Sequence, residues 1–237
     1  MTRTRADRRV LDDPFTAALT GPQERFARRR GRIVAFDPAV SVFYGHPREM
    51  SAADWADMAA LAGPGRTVGL RDCRSPRPAS WELLETVRLV QYTGEDVIGG
   101  ADRAPADPAP AVLGVDDVAE MTTLVELTRP GPFLSRTIEL GTYLGVRERG
   151  QLLAMAGQRL RLPGWVEISA VCTHPDARGR GLARNLLTAV AQLIVDGGDT
   201  PFLHTTADNP ARRLYESMGF VLHSDVSLEI VRVPKGE

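Results

Sequence analysis

Along the C-terminal half of the chain the period of the apolar positions changes in an orderly way. From Asp116 to Thr128, Val118, Met121, Leu124 and Val125 recur at helical spacing, which predicts an amphipathic helix. TRPGPFLSRT then breaks the pattern. Tyr143–Arg147 and Leu152–Leu160 flank the turn ERGQ and predict an antiparallel hairpin, and Pro163-Gly164 turns the chain into a third strand, Trp165–Thr173. A helix is predicted from Leu182 to Val195 and a strand from Phe202 to Thr205. A short helix, Ala211–Met218, is stopped by Gly219, and two strands near Phe220–Leu222 and Ser227–Val233 close the chain. Strict alternation along the third strand puts Val166, Ile168, Ala170 and Cys172 on the core face. Trp165, Glu167, Ser169, Val171 and Thr173 then take the other face, so Glu167 is expected to meet a cleft or solvent.

The first hundred residues read as mixed α/β. A helix is predicted over Phe15–Arg30, with Phe15, Leu19 and Phe26 near one face, then a strand over Arg32–Phe36. Ser51 caps a helix running to Leu61, with Trp55, Met58 and Ala59 inward, and Gly63-Pro64-Gly65 ends it. Thr67–Leu70 and Val87–Tyr92 are further strands. The composition changes sharply once, in GGADRAPADPAPA at residues 99–111, which favours an extended connector. This divides the chain into an N-terminal α/β region, 1–98, a linker, 99–111, and a C-terminal domain, 112–237.

Composition narrows the chemistry more than it directs it. The net charge of −1 gives no bulk steering toward nucleic acid or membrane. Lys235 is the only lysine, which excludes a Schiff-base or P-loop lysine in the body of the chain. Cys73 and Cys172 have no metal-type spacing, and no apolar stretch reads as a membrane span or signal segment. A reduced, cytoplasmic chain is expected. Cys172, on the predicted core face, reads as an inert packed thiol. His46 reads as a surface residue in GHP, His204 and His223 lie at strand ends without partner spacing, and no metal site is expected.

The chemical signal is HPDARGRGLARN, residues 174–185. It lacks the Gly-Lys-Ser/Thr of a P-loop. As a dinucleotide loop it has Arg184 where a small residue is needed, and Asp199 precedes the next strand instead of ending it. Arg178-x-x-Gly181-x-Ala183 follows a strand and opens a helix, where glycines and unpaired amides can approach an anion. Arg178, Gly179, Arg180, Gly181, Leu182, Ala183 and Arg184 are its candidate ligands. A bare RGRG run is equally compatible with a solvated basic helix start.

Two longer stretches resemble a known family. VEISAVCTHPDARGRGLARNLL is similar to the acetyl-CoA-binding motif of the GNAT N-acetyltransferase superfamily, Arg/Gln-x-x-Gly-x-Gly/Ala. TTADNPARRLYESMGF is similar to its second motif, an Asn followed by a helix ending Tyr-Glu-x-x-Gly-Phe. The resemblance covers roughly residues 112–233. It implies an α/β (α+β) fold, a mixed, mostly antiparallel twisted sheet flanked by helices, with the N-terminal region as a degenerate second copy. It implies acetyl-CoA as cosubstrate, with its pyrophosphate on the 178–184 loop and its pantetheine arm along the backbone of Val171 and Thr173. Asn209, which also reads as a helix N-cap before Pro210, would lie near the cofactor. Glu167, four residues before the cofactor-contacting strand positions, would be the general base, and Tyr215 would protonate the departing thiolate.

The implied activity is acetyl transfer to a primary amine by direct attack in a ternary complex. The acceptor would be a small-molecule or peptide amine lying beside TRPGPFLSRT, with Glu126, Phe133 and Tyr143 as candidate contacts. Neither nucleic acid nor membrane is expected as partner, and the chain would be a monomer or homodimer. A CoA-binding regulatory protein would keep the loop and tolerate loss of Glu167 and Tyr215; both are present. A nucleic-acid module would interleave aromatic residues with the arginines, and none do.

Overall fold

The computed structural model describes residues 6–97 and 109–235. Most of the predicted linker therefore lies outside the described residues. Its last residue opens an edge strand, β1 to β11 being numbered in chain order.

The C-terminal periods become α3 (Val118–Thr128), β7 (Tyr143–Glu148), β8 (Gln151–Leu162), β9 (Trp165–Thr173), α4 (Leu182–Asp196), β10 (Thr200–Thr206) and α5 (Arg212–Ser217). β6 (Ala111–Leu113) pairs with β7, and the two predicted closing strands form one, β11 (Val221–Arg232), with a register shift between Leu222 and Ser224. From the first half come α1 (Pro14–Leu19), β1 (Ala27–Arg30), β2 (Ile33–Phe36), β3 (Tyr44–Gly45), α2 (Ala52–Ala62), β4 (Thr67–Arg71) and β5 (Glu82–Thr93). α2 starts where Ser51 predicts, through a capping box with Asp54. The long helix over Phe15–Arg30 does not form. Gly21 precedes Pro22, which disfavours helix at both residues, and Ala27–Arg30 pairs antiparallel with Ile33–Phe36.

The sheet order departs furthest from expectation. Eight strands lie in the order β4-β11-β5-β10-β9-β8-β7-β6, so β4 and β5 join the strands of the second half in one sheet. β5 inserts between β10 and β11, antiparallel to both. The first hundred residues are thus tied into the same sheet as the second half. They supply two strands of the main sheet, a small three-stranded sheet (β1-β2-β3) and helices that cover one face. Only β9 and β10 run parallel in the main sheet, which is otherwise antiparallel.

α4 buries Leu186, Leu187 and Val190 against Val166, Ile168 and Leu203 on one face. On the opposite face Leu11, Phe15 and Leu19 pack on Leu160, Trp165 and Phe202, and α3 packs on Met155 and Cys172. Two irregularities position the site. β9 and β10 are paired only from Trp165–Thr200 to Glu167–Phe202, after which they part. Further along β9, Met155 pairs with Cys172 and Gly157 with Ser169, so Ala156 alone faces both Ala170 and Val171. This is a β-bulge, and Ala170 has φ of +52°. It overturns the strict alternation. Val171 joins the α4 face with Val166 and Ile168, whereas Ala170 and Cys172 join the α3 face.

Candidate active site

The loop between β9 and α4 is fixed from both sides. His174 Nδ1 accepts from the Asp176 amide at 3.3 Å, and Ala177 is buried under the following turn. Gly179 and Gly181 then both take φ of +78°, a conformation that side chains resist. α4 begins at Leu182 with no side-chain cap, leaving its first amides exposed to whatever lies ahead. Ahead lies a cleft of about 260 Å³ lined by Thr173, Arg178, Gly179, Gly181, Leu182, Ala183 and Arg184. A Cβ added at either glycine would meet no atom within 4 Å, so it would project into open space. The Thr173 hydroxyl is buried without a partner. The cleft thus gathers seven of the expected cofactor residues. Arg180 is turned aside to Glu148 at 3.0 Å, and Arg184 donates to the Ser217 hydroxyl at 2.5 Å.

Asn209 and Tyr215 belong to the next turn of chain. Asn209 accepts from the Ala211 amide at 2.8 Å and donates to the Thr205 hydroxyl at 2.6 Å. It locks the turn ahead of α5, which begins only at Arg212. Tyr215 is buried on the α4 face, edge-on to Phe220, and burial pushes its hydroxyl up to about 12. That hydroxyl bonds to no described residue. Cys172 is buried, and burial raises its thiol to about 11, as suits an inert packed residue.

Glu167 meets neither the cleft nor the solvent expected of it. It does lie on the face opposite Val166, but that face is covered by the N-terminal segment, and the side chain is fully buried. Arg159 grips it with Nε to Oε2 at 2.8 Å and Nη2 to Oε1 at 2.7 Å, and His204 Nδ1 lies 2.8 Å from Oε1. Burial opposes its charge, but Arg159 and the His204 hydrogen bond outweigh it and hold the carboxyl at about 2. Burial also lowers the His204 pKa, so the ring is neutral at pH 7. The network assigns the tautomer: Nδ1–H donates to Glu167, and Nε2 accepts from the Gln91 amide at 3.0 Å. Ser224 in turn donates to Gln91 Oε1 at 3.1 Å.

Sequence reasoning missed this relay, with His204 taken for an isolated strand-end residue. Hairpin arithmetic does not find it. Unbroken pairing back from the Pro163-Gly164 turn, through Leu162–Trp165 and Arg161–Val166, would set Leu160 opposite Glu167. It is the register shift between Arg161 and Gln158 that brings Arg159 there. His46 is corrected too. It is buried, with Nε2 accepting from the Arg71 amide at 3.1 Å. Phe133 and Tyr143 are core residues in edge-to-face contact, while Glu126 is exposed on α3.

The comparisons agree with this architecture. The family model described as FR47-like protein matches residues 143–228, spanning the hairpin, the cradle and α5. A solved structure of a GNAT-family protein from Novosphingobium aromaticivorans is 34% identical, covers 96% of this chain and 99% of that chain, and superposes with a TM-score of 0.82. The chain belongs to the GNAT family. A GCN5-related N-acetyltransferase from Kribbella flavida shares the fold at 15% identity, with 96% and 95% of the two chains covered and a TM-score of 0.62. No curated protein matches the sequence. The GNAT fold here extends over both halves of the chain, not the second alone. Among the described residues no His/Cys/Asp/Glu group could hold a metal, and no helix is long and apolar enough to cross a membrane.

Proposed function

We propose that the protein transfers an acetyl group from acetyl-CoA to a primary amine by direct attack in a ternary complex. The observation that carries this reading is the uncapped start of α4 behind two positive-φ glycines, opening beside the parted strands β9 and β10. The residues present fit the cosubstrate: open space at both glycines, free amides for a pyrophosphate, and the unpartnered Thr173 hydroxyl. When bound, acetyl-CoA supplies an acyl thioester. Residues 178–184 hold its phosphates, Val171 and Thr173 offer strand-edge backbone to the pantetheine arm, and Asn209 keeps the neighbouring turn in place. An amide at the Ala170–Val171 bulge polarises the carbonyl. Tyr215, protonated throughout the neutral range, donates to the leaving sulfur.

An alkylamine with a lysine-like pKa of ~10.4 is almost wholly protonated at pH 7, so a base is needed. Direct abstraction by Glu167 does not suit a buried carboxylate gripped by Arg159. In our reading Glu167 is a positioning residue: by holding Nδ1–H it makes Nε2 of His204 the basic atom, which a shift of the Gln91 amide would free. His204→Gln is then expected to lower kcat roughly 10²-fold at neutral pH. The deficit should shrink as pH rises toward the amine's own pKa, because more of the acceptor is already neutral. A pH–rate profile parallel to that of the wild type would remove His204 from the mechanism.

The acceptor is a small-molecule or peptide amine in this reading, the setting cytoplasmic, and the chain a monomer or homodimer. Thiol release from acetyl-CoA across an amine panel tests the activity. Gly181→Ala tests the cradle. Its Cβ clashes with no protein atom, so the fold loses only the ~1–2 kcal/mol of a left-handed alanine. CoA affinity measured by calorimetry should fall about tenfold or more, the worth of one charge-assisted hydrogen bond. The closure of Glu167 favours one competing reading, a CoA-binding regulatory protein. CoA binding without thiol release to any amine would decide for it.

A further inference from the structure

β4 ends on Arg71, whose side chain enters the covered face of the sheet and is 6 % exposed. Nη1 donates to the Asp12 carbonyl at 2.6 Å, while Nε and Nη2 are buried without any hydrogen-bond partner. Those two N–H groups share one edge of the guanidinium, spaced for the two oxygens of a carboxylate. In this molecule the same edge of Arg159 grips Glu167, that of Arg88 grips Asp225, and that of Arg32 grips Asp54. At Arg71 it has no such occupant. A buried donor left unmet costs about 1–3 kcal/mol, so two on one edge mark a place shaped for something other than packing.

Arg71 lines a cleft of about 160 Å³ with Asp12, Asp13, Phe15, Tyr44, His46 and Arg48, room for a small molecule. Two of the neighbouring acids are already committed. Asp13 caps α1 through the Thr16 amide, and Asp72 pairs with Arg48 at 2.8 Å. His46 uses both ring nitrogens, toward the Pro47 carbonyl and the Arg71 amide, and burial lowers its pKa. Asp12 meets Arg71 through its carbonyl. Burial opposes the Arg71 charge and Asp13, Asp72 and Asp12 favour it from a distance, but among the described residues no carboxylate forms an ion pair with Arg71. The cleft also abuts the proton relay. Phe15 stacks on Phe43 at 4.6 Å, and the Arg159 guanidinium, which holds Glu167, lies over the other ring at 4.7 Å. The positive charge of Arg71 is felt at His204.

We infer that Arg71 receives the carboxylate of the acceptor on its free Nε/Nη2 edge, so that the acceptor is a small amine that also carries a carboxylate. This rests on the acetyl-transfer reading for the amine and on the cleft alone for the carboxylate.

Matched probes separate the two: glycine against glycinamide, β-alanine against β-alaninamide, γ-aminobutyrate against butylamine. Calorimetric binding to the whole protein, without acetyl-CoA, should favour the acid of at least one pair roughly tenfold or more, as expected for a two-point charge-assisted contact. Arg71→Met should abolish that preference. Because it also removes two unmet buried donors, its unfolding midpoint in urea should stay close to the wild type. Arg71→Lys, which keeps charge but not the paired donors, should lose most of the preference while folding, and it stands in should Arg71→Met fail to fold. With acetyl-CoA present, KM for the acid should rise in both variants relative to KM for its matched amide or carboxylate-free amine. No acid preference in the wild type, tighter binding of the amides, or a preference that survives in the folded variants overturns the assignment. Arg71-dependent carboxylate binding without acetyl transfer to any amine upholds the site and overturns only the role of its ligand as acceptor.

Discussion

Arg159→Met is expected to destabilise the protein by about 3–5 kcal/mol at pH 7, the usual cost of stranding a buried charge. Both partners are sealed beneath the N-terminal segment, Glu167 completely and Arg159 with 12% of its side chain exposed. Removing the guanidinium leaves Glu167 with His204 alone and empties the space over Phe43. Urea unfolding measures the loss. The double variant Arg159→Met, Glu167→Leu should regain much of it, since no uncompensated charge then remains inside. The pH dependence has a definite sign. In the wild type the Glu167 pKa is depressed to about 2 from 4.5, so its contribution is full above 4.5 and is lost as pH falls toward 2. In Arg159→Met burial dominates and raises that pKa, so the variant should gain relative stability on acidification. A variant that unfolds like the wild type at pH 7, with the same acid limb, would mean the pair contributes nothing net.

Tyr215→Phe should slow turnover by about 10²-fold, the lower end of what a positioned acid supplies, while CoA binding stays within a factor of about two. Only the hydroxyl is lost, and the ring keeps its edge contact with Phe220. Because burial sets the Tyr215 hydroxyl at about 12, the wild type should show no alkaline fall in rate from this group below that pH. Steady-state rates with calorimetric CoA affinities separate the cases. An unchanged kcat would leave Tyr215 as packing alone, and a parallel loss of CoA affinity would point to a binding role.

Local signals in the sequence carried the α4 cradle well, because a strand, a Pro turn, two glycines and an amphipathic helix are all read within neighbouring residues. They failed where the deciding partner is remote or the backbone departs from its period. The β9 bulge sits at Ala170, a residue with no bias toward positive φ, so nothing in VEISAVCT announces that the faces exchange there. Glu167 had the correct side of the strand but the wrong surroundings, since what covers that side comes from Leu11, Phe15 and Phe43, far back in the chain. His46 and Arg71 meet each other and Asp12 only after β4 has joined the sheet. Sequence alternation cannot see a layer laid on from a hundred residues away.

The intercalation of β5 has a consequence for how the chain is made. Thr93 pairs with Phe202 on one side and with Val221 on the other, so the ribosome releases the middle strand long before either neighbour exists. Such a sheet cannot zip up in order of synthesis. The early half must keep its strand edges unsatisfied until the late half threads around them, which raises contact order and slows the final closure. The cradle, built from local turns, can form early. The covered face with its ion pair can form only when the two ends of the molecule have met.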